Sequence, residues 1–353
     1  MTETILNLNF PLIFRIFLAF WCALAISLGF GRKSIALLHA HQTNGQPIRD
    51  DGPQSHLQKK GTPTMGGILI LLSAILSSLL FADLSNVFVW VCLFVIVVYG
   101  FAGFIDDYEK VTKNSSKAMS AKMKLVLQFC AALIAVAVIS YATAEDKRYV
   151  LNFPYLIDIS LNLWIFYVPF AMVVIAGASN GVNLSDGLDG LASGLLIIAF
   201  TAFVAVAYYA GGNGAAYVAE IAGSGEVAVV CAAVVGACLG FLWFNAPKAE
   251  VFMGDTGSLA LGALIGTVAV ILKQEILLAI IGGVFVLETI SVFLQVFWFK
   301  RTGRRIFKMA PIHHHFEVLG WQETKVTVRF WILGLMLAVL GLGSLFIGIG
   351  FYD

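Results

Sequence analysis

The stretch VFVWVCLFVIVVYGFAGFIDD, residues 87–107, decides the class of this chain. It runs from Val87 to Ile105 without a charge and then stops on two aspartates, Asp106 and Asp107. A hydrocarbon core of about 30 Å needs about 20 apolar residues per helix, so this segment is long enough to cross a membrane. The same pattern recurs along the chain. About ten such stretches can be drawn, at 11–31, 66–82, 87–105, 125–142, 163–178, 191–210, 227–245, 256–272, 276–297 and 329–349. The fifth and eighth are short enough to read as partly re-entrant. With 59% hydrophobic and 12% charged residues, 353 residues carry too little polar surface to coat a soluble globule. The sequence therefore predicts an all-α integral membrane protein. No loop reaches the roughly 40 residues below which a domain cannot stand without help, so residues 1–353 are read as a single polytopic membrane domain.

Orientation follows from the basic residues, because Lys and Arg in short loops stay in the cytoplasm. Of the 22 basic residues, all but Arg15, Lys147, Arg148 and Lys273 fall in one set of alternate loops. That set is predicted to be cytoplasmic, with both termini outside. A net charge of +1 gives no footprint for nucleic acid, and no such partner is expected. The first apolar stretch outruns the h-region of a cleavable signal and is followed by Arg32-Lys33, so it reads as a retained helix. The five cysteines all lie within spans and form no C-x-x-C pair, which argues against disulfides and zinc ribbons. On the outer side, Tyr149 to Leu163 mixes aromatic and β-branched residues with Asn152 and Pro154, a signal for a small hairpin.

The chemistry lies in the cytoplasmic loops. Acids at a helix C-terminus oppose the macrodipole, so Asp106 and Asp107 are poorly placed for stability alone. Lys110, at i+4 and i+3, meets both if the helix continues. Paired carboxylates can engage Mg²⁺, which takes hard oxygen ligands and substrate phosphates. A second segment reads Asn180-Gly181-Val182-Asn183-Leu184-Ser185-Asp186-Gly187-Leu188-Asp189-Gly190, acidic and Gly-punctuated, with no cation of its own. Phe252-Met253-Gly254-Asp255-Thr256-Gly257-Ser258 opens the eighth span. There Asp255 is either an N-cap or a metal ligand at a helix start that also favours phosphate.

The last loop carries Pro311-Ile312-His313-His314-His315-Phe316 behind a basic run. Neighbours on a helix are about 100° apart, so a zinc triad is a poor reading. Hydrogen bonding to phosphate or substrate remains, as does a merely solvated cluster. The first loop holds Arg49-Asp50-Asp51-Gly52-Pro53, His56, Lys59, Lys60 and Gly61-Thr62-Pro63-Thr64-Met65-Gly66-Gly67. It lacks P-loop spacing, yet a Gly-rich turn behind two lysines offers donors and charge to an anion. Glu288, inside the ninth span, should face other helices, paired or protonated. Its purpose is not legible.

In order and over essentially the whole chain, these motifs resemble the polyprenyl-phosphate N-acetylhexosamine-1-phosphate transferases. The His-His-His form and the Gly61–Gly67 loop resemble the phospho-N-acetylmuramoyl-pentapeptide branch of that family. The departure found is Ser185, where threonine is common. The resemblance implies transfer of phospho-N-acetylmuramoyl-pentapeptide from UDP-N-acetylmuramoyl-pentapeptide to undecaprenyl phosphate, giving lipid I and UMP, with Mg²⁺. It implies a cleft on the cytoplasmic face of a bacterial inner membrane, in contact with membrane lipid, and leaves a homodimer open.

By the same likeness, Asp255 is the main metal ligand, with Asp107 supporting it, and Asp106 deprotonates or orients the lipid phosphate. Lys59 and Thr64 contact substrate. Asn183, Asp186, Asp189 and Phe252 form the nucleotide pocket, with Phe252 on uracil, and Asn245 binds substrate. His313, His314 and His315 bind phosphate or sugar. Two rivals stand beside this reading. One is a related transferase using another UDP-N-acetylhexosamine; the other is a secondary transporter, which should place its acids at the midplane rather than at helix ends.

Overall fold

A computed structural model of the chain describes residues 10–42, 61–113, 119–156, 159–212 and 220–346. Its helices in chain order are α1 (Leu12–His41), α2 (Gly67–Phe81), α3 (Val87–Lys113) and α4 (Ala121–Ala142). After a small hairpin of β1 (Val150–Asn152) and β2 (Ser160–Asn162) come α5 (Tyr167–Ser185), α6 (Leu191–Ala210), α7 (Glu226–Asn245) and α8 (Gly254–Leu272). The chain closes with α9 (Glu275–Ile281), α10 (Gly283–Thr302), α11 (Ile312–Val318) and α12 (Glu323–Gly343). Among the described residues, 9 helices are long and apolar enough to cross a membrane, and Gly67–Phe81 is a shorter apolar helix. The all-α membrane class is thus as the sequence predicts.

Two expectations are corrected. The fifth and eighth stretches extend to Trp164–Ser185 and Gly254–Leu272, 22 and 19 residues, long enough to cross outright. The ninth, expected as one helix over 276–297, breaks at Gly282 into α9 and α10. Hydropathy is blind to such a break, because glycine interrupts neither the apolar run nor its length.

The core is α8. Every described residue from Thr256 to Leu272 is buried, so this helix meets protein on all sides. It lies against α2, α3 and α5. Its contact with α3 is backbone-close: a Cβ on Gly103 would fall 2.2 Å from the Asp255 carbonyl oxygen. Small residues at such crossings let membrane helices approach, since lipid supplies no hydrophobic drive between them. The outward faces of α1, α10 and α12 are apolar and exposed, as a lipid boundary requires.

Ionic ties complete the packing. Arg15, inside α1 and 3% exposed, is not a stray topology charge. Its Nη1 donates to Glu226 Oε2 at 2.6 Å and to the Phe81 carbonyl at 3.2 Å. The Asp83 amide donates to the same Glu226 oxygen at 2.9 Å. One carboxylate in the first turn of α7 thus holds the start of α1 and the end of α2 together.

At the same end of the bundle the hairpin pairs Val150 with Asn162 and Leu151 with Leu161. Beneath it Lys273, wholly buried, donates from Nζ to the Arg148 carbonyl at 2.8 Å and lies 4.0 Å above the Tyr167 ring. The Tyr167 hydroxyl bonds the Glu275 carboxylate. Burial pulls the Lys273 ammonium down to about 8 and pushes Glu275 up to about 7.

Candidate active site

The motifs converge at the other end of the bundle, around the start of α8. Helix α3 does continue past its apolar run, carrying Asp106, Asp107 and Lys110 on its last turns. Asp107 points into the N-terminus of α8. Its Oδ1 accepts the Asp255 amide at 3.1 Å, and its Oδ2 accepts the Thr256 amide and hydroxyl at 2.9 and 2.8 Å. A carboxylate there satisfies orphan amides and complements the dipole. The capping acid of α8 is therefore Asp107, from another helix, and Asp255 is released to face the cleft.

Asp255 and Asp106 share two ammonium groups. Lys124 Nζ lies 2.6 Å from Asp255 Oδ2 and 3.1 Å from Asp106 Oδ2. Lys110 Nζ lies 3.0 and 2.7 Å from the same two oxygens. The other Asp255 oxygen accepts from Asn183 Nδ2 at 2.8 Å, and that amide also reaches Ser258 Oγ at 2.9 Å. Asp106 Oδ1 accepts the Met119 amide at 3.0 Å. Asp106 is 3% exposed. The Asp255 side chain keeps 14%, Lys110 21% and Lys124 18% of their surface, so the cluster opens to solvent on the lysine side.

Lys124 is the residue that sequence reasoning missed, having counted it only as a topology charge. The signal was present. It lies in the first turn of α4, which Ser120 caps by accepting the Met123 amide, and a cation there opposes the macrodipole. Such a lysine needs a carboxylate from elsewhere.

Several of the nucleotide-pocket and substrate-binding candidates have their polar groups engaged within the protein. Asp186, partly exposed at the end of α5, is pushed up to about 7. Desolvation of its carboxyl group is the main cause, with the Asp255 and Asp107 charges adding and the Gly254 amide opposing. Asp189 is 3% exposed and accepts the Ala249 amide at 3.1 Å, while its own amide donates to Glu323 at the start of α12. Asn245 is spent on structure: its Oδ1 accepts Gly190 N and Ser193 Oγ at 3.2 and 2.9 Å, and its Nδ2 donates to the Val251 carbonyl at 2.9 Å.

The Gly61–Gly67 turn is laid against Phe252-Met253 by backbone bonds: Phe252 N to Pro63 O, Gly66 N to Phe252 O and Gly67 N to Met253 O, each 2.9 Å. Phe252 keeps a partly exposed ring, while Thr64 is 1% exposed. Lys59, with Arg49–Pro53 and His56, lies outside the described residues.

The histidines do not converge on one point, as the helical spacing on α11 requires. His313 is wholly buried, its Nδ1 3.1 Å from Glu288 Oε1. His314 Nδ1 pairs with Glu317 at 2.6 Å, and His315 Nδ1 accepts the Lys308 amide at 3.1 Å. Among the described residues no group of three or more His, Cys, Asp or Glu is built to enclose a metal. What the arrangement offers is a pair of carboxylates and a pair of ammonium groups at one spot, beside a helix N-terminus. That is the equipment for neutralising and aligning phosphates where a membrane meets water.

The fold defines a polytopic membrane protein, and comparison with known proteins places it among the transferases. The model of Glycosyl transferase family 4 matches residues 89–273, and the phospho-N-acetylmuramoyl-pentapeptide-transferase signature 1 matches residues 59–71. Phospho-N-acetylmuramoyl-pentapeptide-transferases of Rickettsia felis and Rickettsia montanensis are 52% identical over 97% of this chain and 95% of their own. That of Rickettsia canadensis is 51% identical over the same shares. The chain belongs to the phospho-N-acetylmuramoyl-pentapeptide-transferase family.

Proposed function

We propose that this protein transfers phospho-N-acetylmuramoyl-pentapeptide from its UDP-linked donor to undecaprenyl phosphate, producing lipid I and UMP at a bacterial inner membrane. The reaction joins a water-soluble nucleotide sugar to a lipid phosphate, so its site must open to both phases. The observation that carries this reading is the shared position of Asp106 Oδ2 and Asp255 Oδ2 around Lys110 and Lys124, at the end of an apolar bundle. Membership of the family supports the choice of the muramoyl donor over other UDP-N-acetylhexosamines. Acids gathered at helix ends disfavour a transporter.

The donor set suits Mg²⁺, which is held by one or two carboxylates completed by water and substrate phosphates and needs no enclosing protein cage. Asp255 would be its principal ligand, and Asp107 would support it by fixing the start of α8. Bound there, the ion would neutralise charge on the pyrophosphate. The chain's own groups do the rest. Asp106 orients or deprotonates the lipid phosphate, Lys110 and Lys124 turn to the phosphates, and Asn183 holds Asp255. Phe252, Asp186 and Asp189 shape the nucleotide pocket, Lys59 and Thr64 contact the substrate, and His314 and His315 reach the phosphate or sugar. The basic loops support a cytoplasmic site with both termini outside, and the apolar flanks leave room for lipid or a second copy.

The test offers the purified chain UDP-N-acetylmuramoyl-pentapeptide and UDP-N-acetylglucosamine, each with undecaprenyl phosphate, and identifies the lipid product by mass. Lipid I from the first donor alone, lost on chelation and restored by Mg²⁺, is expected. Product from the second donor, or wild-type turnover in Asp255→Asn, would overturn the assignment.

A further inference from the structure

Glu288 and His313 are both wholly buried and in contact, 3.1 Å from Oε1 to Nδ1. Neither Glu288 oxygen nor either ring nitrogen makes a well-aligned hydrogen bond to any described residue. A buried ionisable pair so poorly satisfied does not help hold the fold; apolar replacements of similar volume are commonly neutral or stabilising. Such a pair is retained for position rather than stability.

Its surroundings show what it positions. After α10 the chain doubles back along that helix. Gln295 Oε1 accepts the Ile306 and Phe307 amides at 3.1 and 2.9 Å, and Gln295 Nε2 donates to the Phe307 carbonyl at 3.0 Å. Two helical turns earlier, on the same face, Glu288 meets His313. The far side of that imidazole abuts the Asp186–Asp189 turn: a Cβ on Gly187 would lie 2.3 Å from His313 Nε2. Gly187 is a glycine because the ring occupies its side-chain space. Asp186, next to it, faces the start of α8 and Asp255.

We propose that Glu288 is a positioning residue for the donor pocket: acting through His313, it sets the Asp186–Gly187 turn from behind, without touching substrate. The inference rests on the transferase reading above and extends it to a helix whose outer face meets lipid. A turn set in this way should govern binding of the nucleotide donor and leave the lipid acceptor alone.

Steady-state kinetics of the purified full chain test this with Glu288→Leu, Glu288→Gln, His313→Ala, Gly187→Ala and the Glu288→Leu/His313→Ala double variant, each alongside its thermal midpoint. Glu288→Leu should raise KM for UDP-N-acetylmuramoyl-pentapeptide by about tenfold or more, as small misplacements in a site do. KM for undecaprenyl phosphate should stay at its wild-type value, and any fall in the thermal midpoint should not be matched by a fall in kcat. Gln, which keeps an acceptor for Nδ1, should recover part of the loss. His313→Ala and Gly187→Ala should shift the same constant, and the double variant should be no worse than His313→Ala. An unchanged donor KM in Glu288→Leu, a fall in kcat that tracks a lower midpoint, or full additivity in the double variant would each overturn the inference. A wild-type chain that makes no lipid product overturns the transferase reading, and the inference with it.

Discussion

At the scale of single residues the site is an exercise in sharing. Asp255 and Asp106 divide two ammonium groups between them, while Asp107 gives both of its oxygens to the start of α8. The three acids are alike in chemistry and differ in what neighbours leave free. Lys124 is the most telling cation, since it reaches both facing carboxylates from a third helix. Lys124→Met should cut turnover by about 100-fold, as loss of one preorganised donor to developing charge does, with the protein still eluting as a single folded species. Near wild-type kcat would remove Lys124 from the site.

Asp186 supplies a test by pH. Desolvation of its carboxyl pushes it up to about 7 in the fold from an ordinary value of 3.8. Folded protein therefore holds the proton more tightly than unfolded chain, and the group's contribution to stability is full below 3.8 and lost as pH rises through 7. Without nucleotide or divalent ion, the stability advantage of Asp186→Asn over wild type should grow from pH 4 to 7 and level off above. A midpoint difference that is flat over that range would contradict the assigned environment.

At the scale of elements, the site depends on close contacts between helices distant in sequence. Helix α8 brings Asp255 forward because α3 crosses it at Gly103 and caps it with Asp107. At the opposite end, α1, α2 and α7 are tied by Arg15 and Glu226, whose side chains are only 4% and 12% exposed. Removing one partner leaves the other charge buried, a loss of about 3–5 kcal/mol. Arg15→Met should therefore lower the thermal midpoint in detergent markedly. Adding Glu226→Leu should return most of the loss, because a well-packed apolar pair replaces a buried ion pair at little cost. If the double variant is no more stable than Arg15→Met, the pair is not the source of the tie.

At the scale of the whole molecule, polarity is segregated by end. One end holds the carboxylates, lysines and histidines; the other holds the hairpin and the buried Lys273–Glu275 group. In a background without the lipid-exposed Cys130, Asn162→Cys on the hairpin should react with a membrane-impermeant maleimide on intact cells. Arg304→Cys, exposed beyond α10, should react after the cells are opened. Labelling in the reverse order would invert the proposed topology.

The class of the protein and the hairpin were legible in the amino-acid sequence, because apolar length and turn chemistry are properties of neighbouring residues. The contact of Lys110 with Asp106 could be read for the same reason, at one helical turn. The sequence left undetermined that Asp107 caps α8, that Lys124 bridges two acids, that Arg15 meets Glu226 and that Glu288 leans on His313. The break at Gly282 was equally hidden. Each of those meetings joins separate helices, three of them across more than a hundred residues of chain, and no periodicity records such a meeting. Only the packing of helices around α8 decided which charges would face one another, and so which acids cap, which bind and which merely hold another residue in place.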